Sequence, residues 1–487
     1  MLKLAAAGRA ALRLLKCHSK AVATGVGVNA DCVTATAGRL AATFAKVEAR
    51  NRCSFTGEAG RVSDALSALA GDLTGATGGG PSVCDGEKIL DAGRRVQGVL
   101  AAQAKHALAP EANMLGGALD KASFKFSARI ATAESAGDCT TVGDATAIAS
   151  RADAGSADVV DAVRGTLATL GARTGRRIGA AVRANILASM EPAYRDTILR
   201  QFDYVTAEYE FMWGNLESTR GSYQFGPVKT IVAFAEQNGL QLKGAPLVWH
   251  LILPPWVNDT MTPADLQTAV DQRIDTLVGT YAGKVAVWDV INEATVDGGA
   301  AYRNSIFLQK LGPDYIRNAF VRARQADPNA LLFYNDFLAD GINAKSDFIY
   351  QMIVSLLAQD TPIDGVSFQM HLGGGFGPAP TKSSVIQNLQ RFADLGLLVH
   401  ISEMDVEIAG FHPSIPGGLA RQREVYHDMV GACLAVARCD SVTFWGFTDK
   451  YTWVNDYLGI HDQPLLFDVA YRPKAAFFGV RDALLGF

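Results

Sequence analysis

Two glutamates follow stretches of the sequence that are apolar enough to enter a protein core. Glu293 lies in WDVINEA, after the mostly apolar residues 285–291, and Glu403 lies in ISEMDV. Two carboxyl groups on opposite sides of a cleft can cleave a glycosidic bond, because one protonates the leaving oxygen while the other attacks or stabilises the anomeric carbon. The pair therefore predicts glycoside hydrolysis, provided that the fold brings the two side chains together.

Strand-like runs alternate with helical patterns, such as residues 264–281 and 313–326, from residue 175 onward. The eight runs are IGAAV (178), YVTAEYE (204), LKGAPLVWH (242), VAVWDVINEA (285), LLFYNDF (331), GVSFQMH (365), LVHISEMDV (398) and VTFWGFTD (442). Eight strand–helix units in about 310 residues predict an α/β fold, a (β/α)8 TIM barrel. Glu293 and Glu403 end the fourth and seventh strands, so we expect them to face each other across the top of the barrel.

Polar side chains end six of the eight runs. They are Glu208, His250, Asn292 with Glu293, Asn335 with Asp336, Gln369 with His371, and Glu403 with Asp405. Any one of them fits a solvated loop or a satisfied buried group equally well. Their joint placement at the face where barrel enzymes build their sites favours a functional site. Trp249, Trp445 and Trp453 would offer stacking faces for sugar rings, whereas Trp288 in mid-strand is expected in the core.

Other kinds of site fit the sequence less well. No Ser-His-Asp arrangement accompanies the glutamates, and GGGFG near residue 373 lacks the helix and lysine of a phosphate loop. A metal hydrolase is the main rival, with His250, His371, Asp336 and Asp405 as ligands. These four residues lie on four different strands without a spacing such as H-x-x-x-H. We therefore expect no metal and no cofactor.

The composition is that of an ordinary globular protein. The chain has 487 residues, 49% of them hydrophobic, and a net charge of −4, which gives no electrostatic reason to expect a nucleic acid or an anionic membrane as partner. No apolar run is long enough to span a bilayer, and five basic residues in the first 25 interrupt any signal-peptide core. Export would then need a segment that is missing from this chain, or another route.

The aromatic residues divide the chain in two. All six tryptophans lie at or after Trp213, and the first tyrosine is Tyr194. We predict an Ala/Gly-rich, all-α accessory module at 1–168 and the barrel at 169–487. The module matches itself at a spacing of 86 residues, for example Cys53 with Cys139 and Gly57 with Gly143, which predicts two related units at about 1–84 and 85–168. Chance similarity of Ala-rich helices is the alternative explanation.

The seven cysteines allow two disulfides to be predicted. Cys17 and Cys32 both lack counterparts in the second unit, as a bonded pair would. Cys433 and Cys439 can bond only if a helix ends between them, because six residues of continuous helix separate Cα atoms by about 9 Å. The pairing of Cys53, Cys84 and Cys139 stays open, and an odd number leaves at least one cysteine unpaired or bonded between chains.

The order and spacing of several motifs resemble those of family 10 glycoside hydrolases, the endo-β-1,4-xylanases. The motifs, between about residues 175 and 478, are LVWH with LPPWV, WDVINEA, YNDF, GVSFQMHL, ISEMDV, FWGFTDKYTW, and PLLFD with RPKAAF. The resemblance implies an enzyme that acts on a β-1,4-linked plant polysaccharide, xylan or a related one. It also implies a secreted, periplasmic or cell-surface location.

The resemblance further implies roles for single residues. Glu293 is similar to the general acid/base and Glu403 to the nucleophile of a retaining double displacement, with carboxyl groups about 5 to 5.5 Å apart. Asn292 would contact a sugar 2-hydroxyl, and His371, with Asp405 behind it, would hydrogen-bond the nucleophile. The substrate-binding positions implied are Glu208, Tyr209, Met212, Trp249, His250, Asn335, Gln369, Trp445 and Trp453.

Four positions depart from the family pattern. Tyr209 and Met212 stand where the family has Asn and Lys, and Ala245 and Ile252 where it has His and Gln. At about 0.5 to 1.5 kcal/mol per lost hydrogen bond, these replacements predict an altered glycone subsite. The protein would then prefer a different, decorated or aryl glycone, or serve as a non-catalytic glycan-binding protein. The intact catalytic set favours an enzyme.

Overall fold

The computed structural model describes residues 2–50, 56–77, 81–106, 112–244, 246–408 and 418–486. Contacts between Cα atoms divide the chain into two compact units, Met1–Thr166 and Leu167–Phe487. The first unit is helical and the second is a barrel.

Helices account for the regular structure described in the first unit. They are α1 (Leu2–Thr24), α2 (Ala30–Glu48), α3 (Ala59–Ala76), α4 (Val83–His106), α5 (Ala112–Glu134) and α6 (Ala145–Arg164). Helices α1 and α4 pack closely, and a Cβ atom on Gly86 of α4 would lie only 2.8 Å from the carbonyl oxygen of Ser19 in α1. Small residues thus allow these two helix backbones to approach each other.

A buried lysine holding two carboxylates occurs twice in this unit. The members are Lys3 with Glu48 (2.7 Å) and Glu58 (2.6 Å), and Lys88 with Glu134 (3.0 Å) and Asp144 (2.8 Å). A buried ammonium group needs such partners because its desolvation is costly. The corresponding carboxylates are 86 residues apart, the spacing at which the sequence of this unit matches itself.

Three disulfides lie in the described parts of the chain. Cys17–Cys32 and Cys433–Cys439 are bonded, as predicted. The second bond is possible because the helix at Gly418–Ala435 ends between the two cysteines, whose Cα atoms are 5.3 Å apart. Cys84 bonds to Cys139 and resolves part of the open pairing, whereas Cys53 lies outside the described residues.

The second unit confirms the predicted (β/α)8 barrel. Its strands are β1 (Arg177–Val182), β2 (Tyr204–Ala207), β3 (Gln241–Gly244), β4 (Val287–Asn292), β5 (Leu331–Asp336), β6 (Gly365–Phe368), β7 (His371–Leu372), β8 (Leu398–Val406) and β9 (Cys439–Phe444). Neighbouring strands pair in parallel from β6 through β5, β4, β3, β2, β1 and β9 to β8, and a β6–β8 pairing closes the ring. The short β7 pairs with the end of β8.

Helices follow the strands around this unit. They are α7 (Leu167–Arg173), α8 (Ala184–Leu187), α9 (Pro192–Gln201), α10 (Trp213–Leu216), α11 (Gly226–Asn238), α12 (Pro263–Thr280), α13 (Ile306–Leu311), α14 (Tyr315–Ala326), α15 (Ala344–Leu357), α16 (Lys382–Asp394), α17 (Gly418–Ala435), α18 (Trp453–Leu458) and α19 (Ala475–Leu485). Side-chain caps set several starts, as where Thr262 accepts the N–H of Asp265 at 3.1 Å and Pro263 follows as the first residue of α12.

The barrel interior is packed with side chains. Tyr204, Val287 and Phe333 form a buried cluster, and Lys243 pairs with Asp289 at 2.7 Å within the same wall. Trp288 is fully buried, as predicted, and its ring fills the space beside Gly244. The strands that carry the polar residues are therefore held rigidly from below.

We expect Gly244→Ala to destabilise the barrel, because the new Cβ atom would lie 2.2 Å from Trp288. Overpacking of this kind costs about 1 to 3 kcal/mol, which thermal unfolding would register as a lower Tm. Gly279→Ala is the matched control, since nothing lies within 4 Å of its Cβ position inside α12. Equal Tm values for the two variants would contradict the prediction.

Candidate active site

Of the two predicted catalytic glutamates, Glu293 directly follows β4 and Glu403 lies in the C-terminal half of β8. Each is 8% exposed. The backbone of Glu293 is left-handed, with φ of 55°. Two hydrogen bonds hold it: the Glu293 N–H donates to the carbonyl of Asn335 (2.9 Å), and Arg303 Nε donates to the carbonyl of Glu293 (2.9 Å). The pairing of β8 with β9 is irregular between Ile401 and Met404, on either side of Glu403. Such irregularities re-aim side chains near active sites.

A chain of side-chain hydrogen bonds connects the two carboxyl groups. Gln369 Nε2 donates to Glu293 Oε1 at 3.1 Å and to Asn292 Oδ1 at 3.2 Å. Asn335 Nδ2 donates to the same Asn292 oxygen at 2.8 Å and to Glu403 Oε1 at 2.6 Å. Three amides therefore fix both carboxyl groups within one network.

The environment of Glu293 favours its protonated form. Burial raises its pKa to about 7, and the charges of Asp336 and Glu403 act in the same direction, while Trp249 and Gln369 oppose them. The side-chain donors that contact it are neutral amides, and Asn292 Nδ2 adds a longer contact of 3.3 Å. A carboxyl group with this pKa can donate a proton near neutral pH.

The environment of Glu403 is charged. His371 Nε2 lies 3.4 Å from Glu403 Oε2, and His371 Nδ1 lies 2.9 Å from Asp405 Oδ2. Trp453 Nε1 donates to the same Asp405 oxygen at 2.8 Å. Burial lowers the pKa of His371, but the charges and hydrogen bonds of Asp405 and Glu403 outweigh that effect and raise it to about 10. His371 therefore carries a positive charge beside Glu403.

Asp336 is part of a separate set of contacts. Its carboxylate pairs with Lys345 at 2.7 Å and accepts hydrogen bonds from Thr295 (2.7 Å) and Tyr334 (2.5 Å). Among the described residues, the one cluster of cysteine, histidine or acidic side chains close enough to share a metal ion is Cys84, Asp85 and Cys139. Both of those cysteines are in a disulfide.

Glu208 ends β2, as predicted, but its carboxylate is occupied by Arg183. Arg183 Nε and Nη2 donate to Glu208 Oε2 and Oε1, each at 2.7 Å. The guanidinium also stacks over the ring of Tyr209, 5.0 Å from its centroid. Arg183, which follows β1, therefore contacts both Glu208 and Tyr209, which follow β2.

Apolar side chains lie on the loops that follow β2 and β3. Met212 and Trp249 line a small cleft together with Leu251. Leu251 and Ile252 are 49% and 43% exposed, and the carbonyl of Ile252 accepts the N–H of Gly214 at 2.7 Å, which joins this loop to that of β2. The fourth replaced position, Ala245, lies outside the described residues.

Two predicted binding residues, His250 and Trp445, lie near the ends of their strands. Among the described contacts, neither side chain hydrogen-bonds to the amide network that joins Glu293 and Glu403. His250 is half-buried beside Trp249, and burial together with the charge of Arg303 lowers its pKa to about 4, so it is neutral. Trp445 follows β9, and its backbone N–H donates to the carbonyl of Met404 at 3.2 Å. Both residues are partly exposed.

Several contributing residues are absent from the sequence predictions. Arg183 directly follows the first strand, so the rule of polar residues at strand ends also applies to it. Ser402 donates to Asn335 Oδ1 at 2.7 Å and thereby orients the Asn335 amide toward Glu403. Nothing in the local sequence distinguishes Ser402 from an ordinary strand residue.

The site thus combines a carboxyl group whose pKa is raised to about 7 and a carboxyl group paired with a charged histidine in one buried network. This arrangement can protonate a leaving oxygen from one side while a second carboxylate attacks or stabilises the anomeric carbon from the opposite side.

None of the helices in the described part of the chain combines the length and apolarity needed to cross a bilayer.

Comparison with known proteins places this site in one family. The profile of glycosyl hydrolase family 10 matches residues 166–483. Endo-1,4-beta-xylanase B of Thermotoga neapolitana is 38% identical over 294 residues, 60% of this chain and 83% of that protein. An endo-1,4-beta-xylanase of Agaricus bisporus is 38% identical over 282 residues, 58% of this chain and 83% of its own length.

Solved structures agree with the sequence comparison. Xylanase 10B of Thermotoga maritima superposes with a TM-score of 0.63 at 36% identity, covering 66% of this chain and 98% of that one. Xylanase 10B of Thermotoga petrophila, solved in complex with xylobiose, has a TM-score of 0.62 at 35% identity over 66% and 97% of the two chains. The chain therefore belongs to glycosyl hydrolase family 10 and is a glycoside hydrolase.

Proposed function

We propose that the protein is an endo-β-1,4-xylanase that cleaves xylan by a retaining double displacement. The observation that carries the proposal is the hydrogen-bonded network that joins a protonated Glu293 to a charge-paired Glu403. The xylanase names of the similar proteins supply the substrate class. Retention requires the second carboxylate to attack the anomeric carbon and form a glycosyl-enzyme intermediate.

Each residue of the network has a role in this proposal. Glu293 protonates the leaving oxygen and later removes a proton from water, while Glu403 is the nucleophile. His371, charged and backed by Asp405, pairs with Glu403 and orients it. Asn292 contacts the sugar 2-hydroxyl. Gln369 and Asn335 hold the carboxyl groups and contact the sugar.

We propose in addition that the protein works outside the cytoplasm. Three disulfides in the described residues suit an oxidising compartment, because disulfides form and persist there. Two of them lie in the helical unit and one in the barrel.

The non-reducing side of the cleft is proposed to accept a less polar or decorated glycone. Glu208 is neutralised by Arg183, and Met212, Leu251 and Ile252 form an apolar rim where hydrogen-bonding groups would serve a plain sugar. Trp249, Trp445 and Trp453 are then left as the main sugar-packing surfaces of that subsite. Plain xylan would be attacked more slowly than a decorated or aryl-substituted substrate.

We expect Glu403→Ala to abolish hydrolysis of both xylan and an aryl β-xyloside, since no nucleophile remains. Glu293→Ala should lower kcat/KM on xylan by about 10²- to 10⁴-fold. It should lower kcat/KM much less on an aryl glycoside, because kcat/KM reports the cleavage step, in which the phenol leaves without being protonated. Rates would be measured by product chromatography, with the exposed Glu424→Ala as control. Equal losses on both substrates for Glu293→Ala would remove it from the role of acid.

The rate should depend on the protonation of Glu293. Because burial raises its pKa to about 7, the acid form is present below that pH and is lost above it. We therefore expect kcat/KM on a xylo-oligosaccharide to fall as the pH rises through about 7, whereas an activated aryl β-xyloside should show a much weaker fall. A profile that is flat from pH 6 to 9 on both substrates would contradict this assignment.

Restoring polar groups to the glycone side tests the altered subsite. Met212→Lys combined with Tyr209→Asn should raise kcat/KM on plain xylan by about tenfold, the effect of one or two recovered hydrogen bonds. Glu424→Ala, at an exposed residue outside the site, serves as the control. No change, or a fall, would mean that Arg183 and the apolar rim bind the substrate in another way. Silence of the unmodified protein on every glycoside would favour a glycan-binding protein.

A further inference from the structure

Four basic residues lie in a row along the first helix of the helical unit. We define them as the basic stripe, formed by Arg9, Arg13, Lys16 and Lys20, and all four are exposed. They follow one another at intervals of four, three and four residues within α1, so they share one face of that helix. The stripe extends over about 16 Å along the helix axis.

The apolar face of the same helix is buried in the helical unit. Leu4, Leu14 and Leu15 belong to the hydrophobic core of that unit, and a Cβ atom on Gly93 of α4 would lie 3.1 Å from Leu15 Cβ. This packing fixes the rotation of α1 and thereby presents the basic stripe to solvent. The apolar face of α1 is not available to enter a lipid bilayer, as an amphipathic helix on a membrane surface requires.

Within the described parts of the chain, no carboxylate pairs with the basic stripe. The sequence of α1 contains no acidic residue, and none of the four stripe residues forms an ion pair with another described residue. The buried Lys3 of the same helix differs, because Glu48 and Glu58 hold it. Like charges three and four residues apart repel each other along a helix, and an anion lying along the stripe would relieve that repulsion.

The excess of positive charge is local to α1. The adjacent helix α4 contains Asp85, Glu87 and Asp91, and its Arg94 pairs with Asp91 at 2.5 Å. Residues 167–487 carry 26 basic and 33 acidic side chains, so the remainder of the protein is acidic. Protein surfaces usually intersperse charges of both signs. The basic stripe therefore does not follow from the composition of the chain, and it is complementary to a negatively charged partner.

We propose that the basic stripe binds a polysaccharide that bears carboxylate groups, such as a xylan substituted with uronic acids. A row of cations matches carboxylates that recur along a chain, and the two guanidinium groups can bind them through paired hydrogen bonds. The neutral sugars between the carboxylates limit repulsion by the acidic remainder of the protein, whereas a nucleic acid carries a charge on every residue. The choice of xylan as the backbone rests on the proposed function, and the stripe itself rests on the charges of α1.

The test compares the binding of charged and uncharged forms of one polymer. In a Glu403→Ala background, which prevents turnover, the affinity for glucuronoxylan would be measured by calorimetry. Arg9→Gln, Arg13→Gln, Lys16→Gln and Lys20→Gln together should raise the Kd by about tenfold, the value of several exposed ion pairs. Carboxyl-reduced glucuronoxylan should bind the parent protein and this stripe variant equally. The difference between the two proteins on glucuronoxylan should disappear at about 1 M salt.

A second set of substitutions is the matched control for the loss of charge. Arg39→Gln, Lys46→Gln, Arg61→Gln and Lys105→Gln also remove two arginines and two lysines, which are exposed and lie on α2, α3 and α4. This set should leave the Kd for glucuronoxylan unchanged. Arg9→Lys combined with Arg13→Lys keeps the charge of the stripe and should retain the binding. The Tm of the stripe variant should not fall, because the substitutions remove repulsion within α1.

Three results would overturn the proposal. One is an unchanged Kd for glucuronoxylan in the stripe variant, or an equal rise in Kd in the stripe variant and in the control set. Another is equal binding of the parent protein to glucuronoxylan and to its carboxyl-reduced form. The third is binding that depends on the stripe for a DNA duplex or for phosphatidylserine vesicles, with none for glucuronoxylan. Failure of the unmodified enzyme to hydrolyse xylan would contradict the proposed function instead, and the binding comparison would still decide what the stripe does.

Discussion

The site depends on one electrostatic contrast: two carboxyl groups in the same buried network have neighbours of different charge. Burial and nearby negative charges raise the pKa of Glu293 to about 7, and its side-chain donors are neutral amides. Glu403 instead has a charged His371 on one oxygen and the amide of Asn335 on the other. The difference arises from the second layer of residues, because both glutamates are equally exposed. Asp405 and Ser402 act in that layer, since each orients a group that touches Glu403.

The barrel supplies this second layer through strand register. Asn292 and Asn335 are direct partners in the β4–β5 pairing, and His371 and Asp405 are partners in the β7–β8 pairing. Strand pairing alone thus brings the Asn292–Asn335 and His371–Asp405 pairs together, without any contribution from the loops. The packed interior below, with Trp288 against Gly244, holds the strands at the separation that these contacts need. Precision in the site is therefore a property of the sheet.

The sequence predicts the barrel and the positions of both glutamates because strand ends are local features, visible as apolar runs that stop at polar residues. It also predicts the Cys433–Cys439 bond, since only the end of one helix is involved. Other features depend on contacts between distant segments. The pairing of Arg183 with Glu208, the orientation of Asn335 by Ser402 and the bond between Cys84 and Cys139 all require knowledge of which elements become neighbours. The choice of glycone is hidden for the same reason, because it depends on how several loops combine.

The backbone of Glu293 is held in an unfavourable conformation. A residue other than glycine in the left-handed region with φ of 55° costs about 1 to 3 kcal/mol, so glycine or asparagine would be the more stable choice there. The hydrogen bond from the Glu293 N–H to the Asn335 carbonyl and the one from Arg303 to the Glu293 carbonyl hold the backbone in this conformation. The carboxyl group is thus placed at a local cost in stability, which the surrounding barrel offsets.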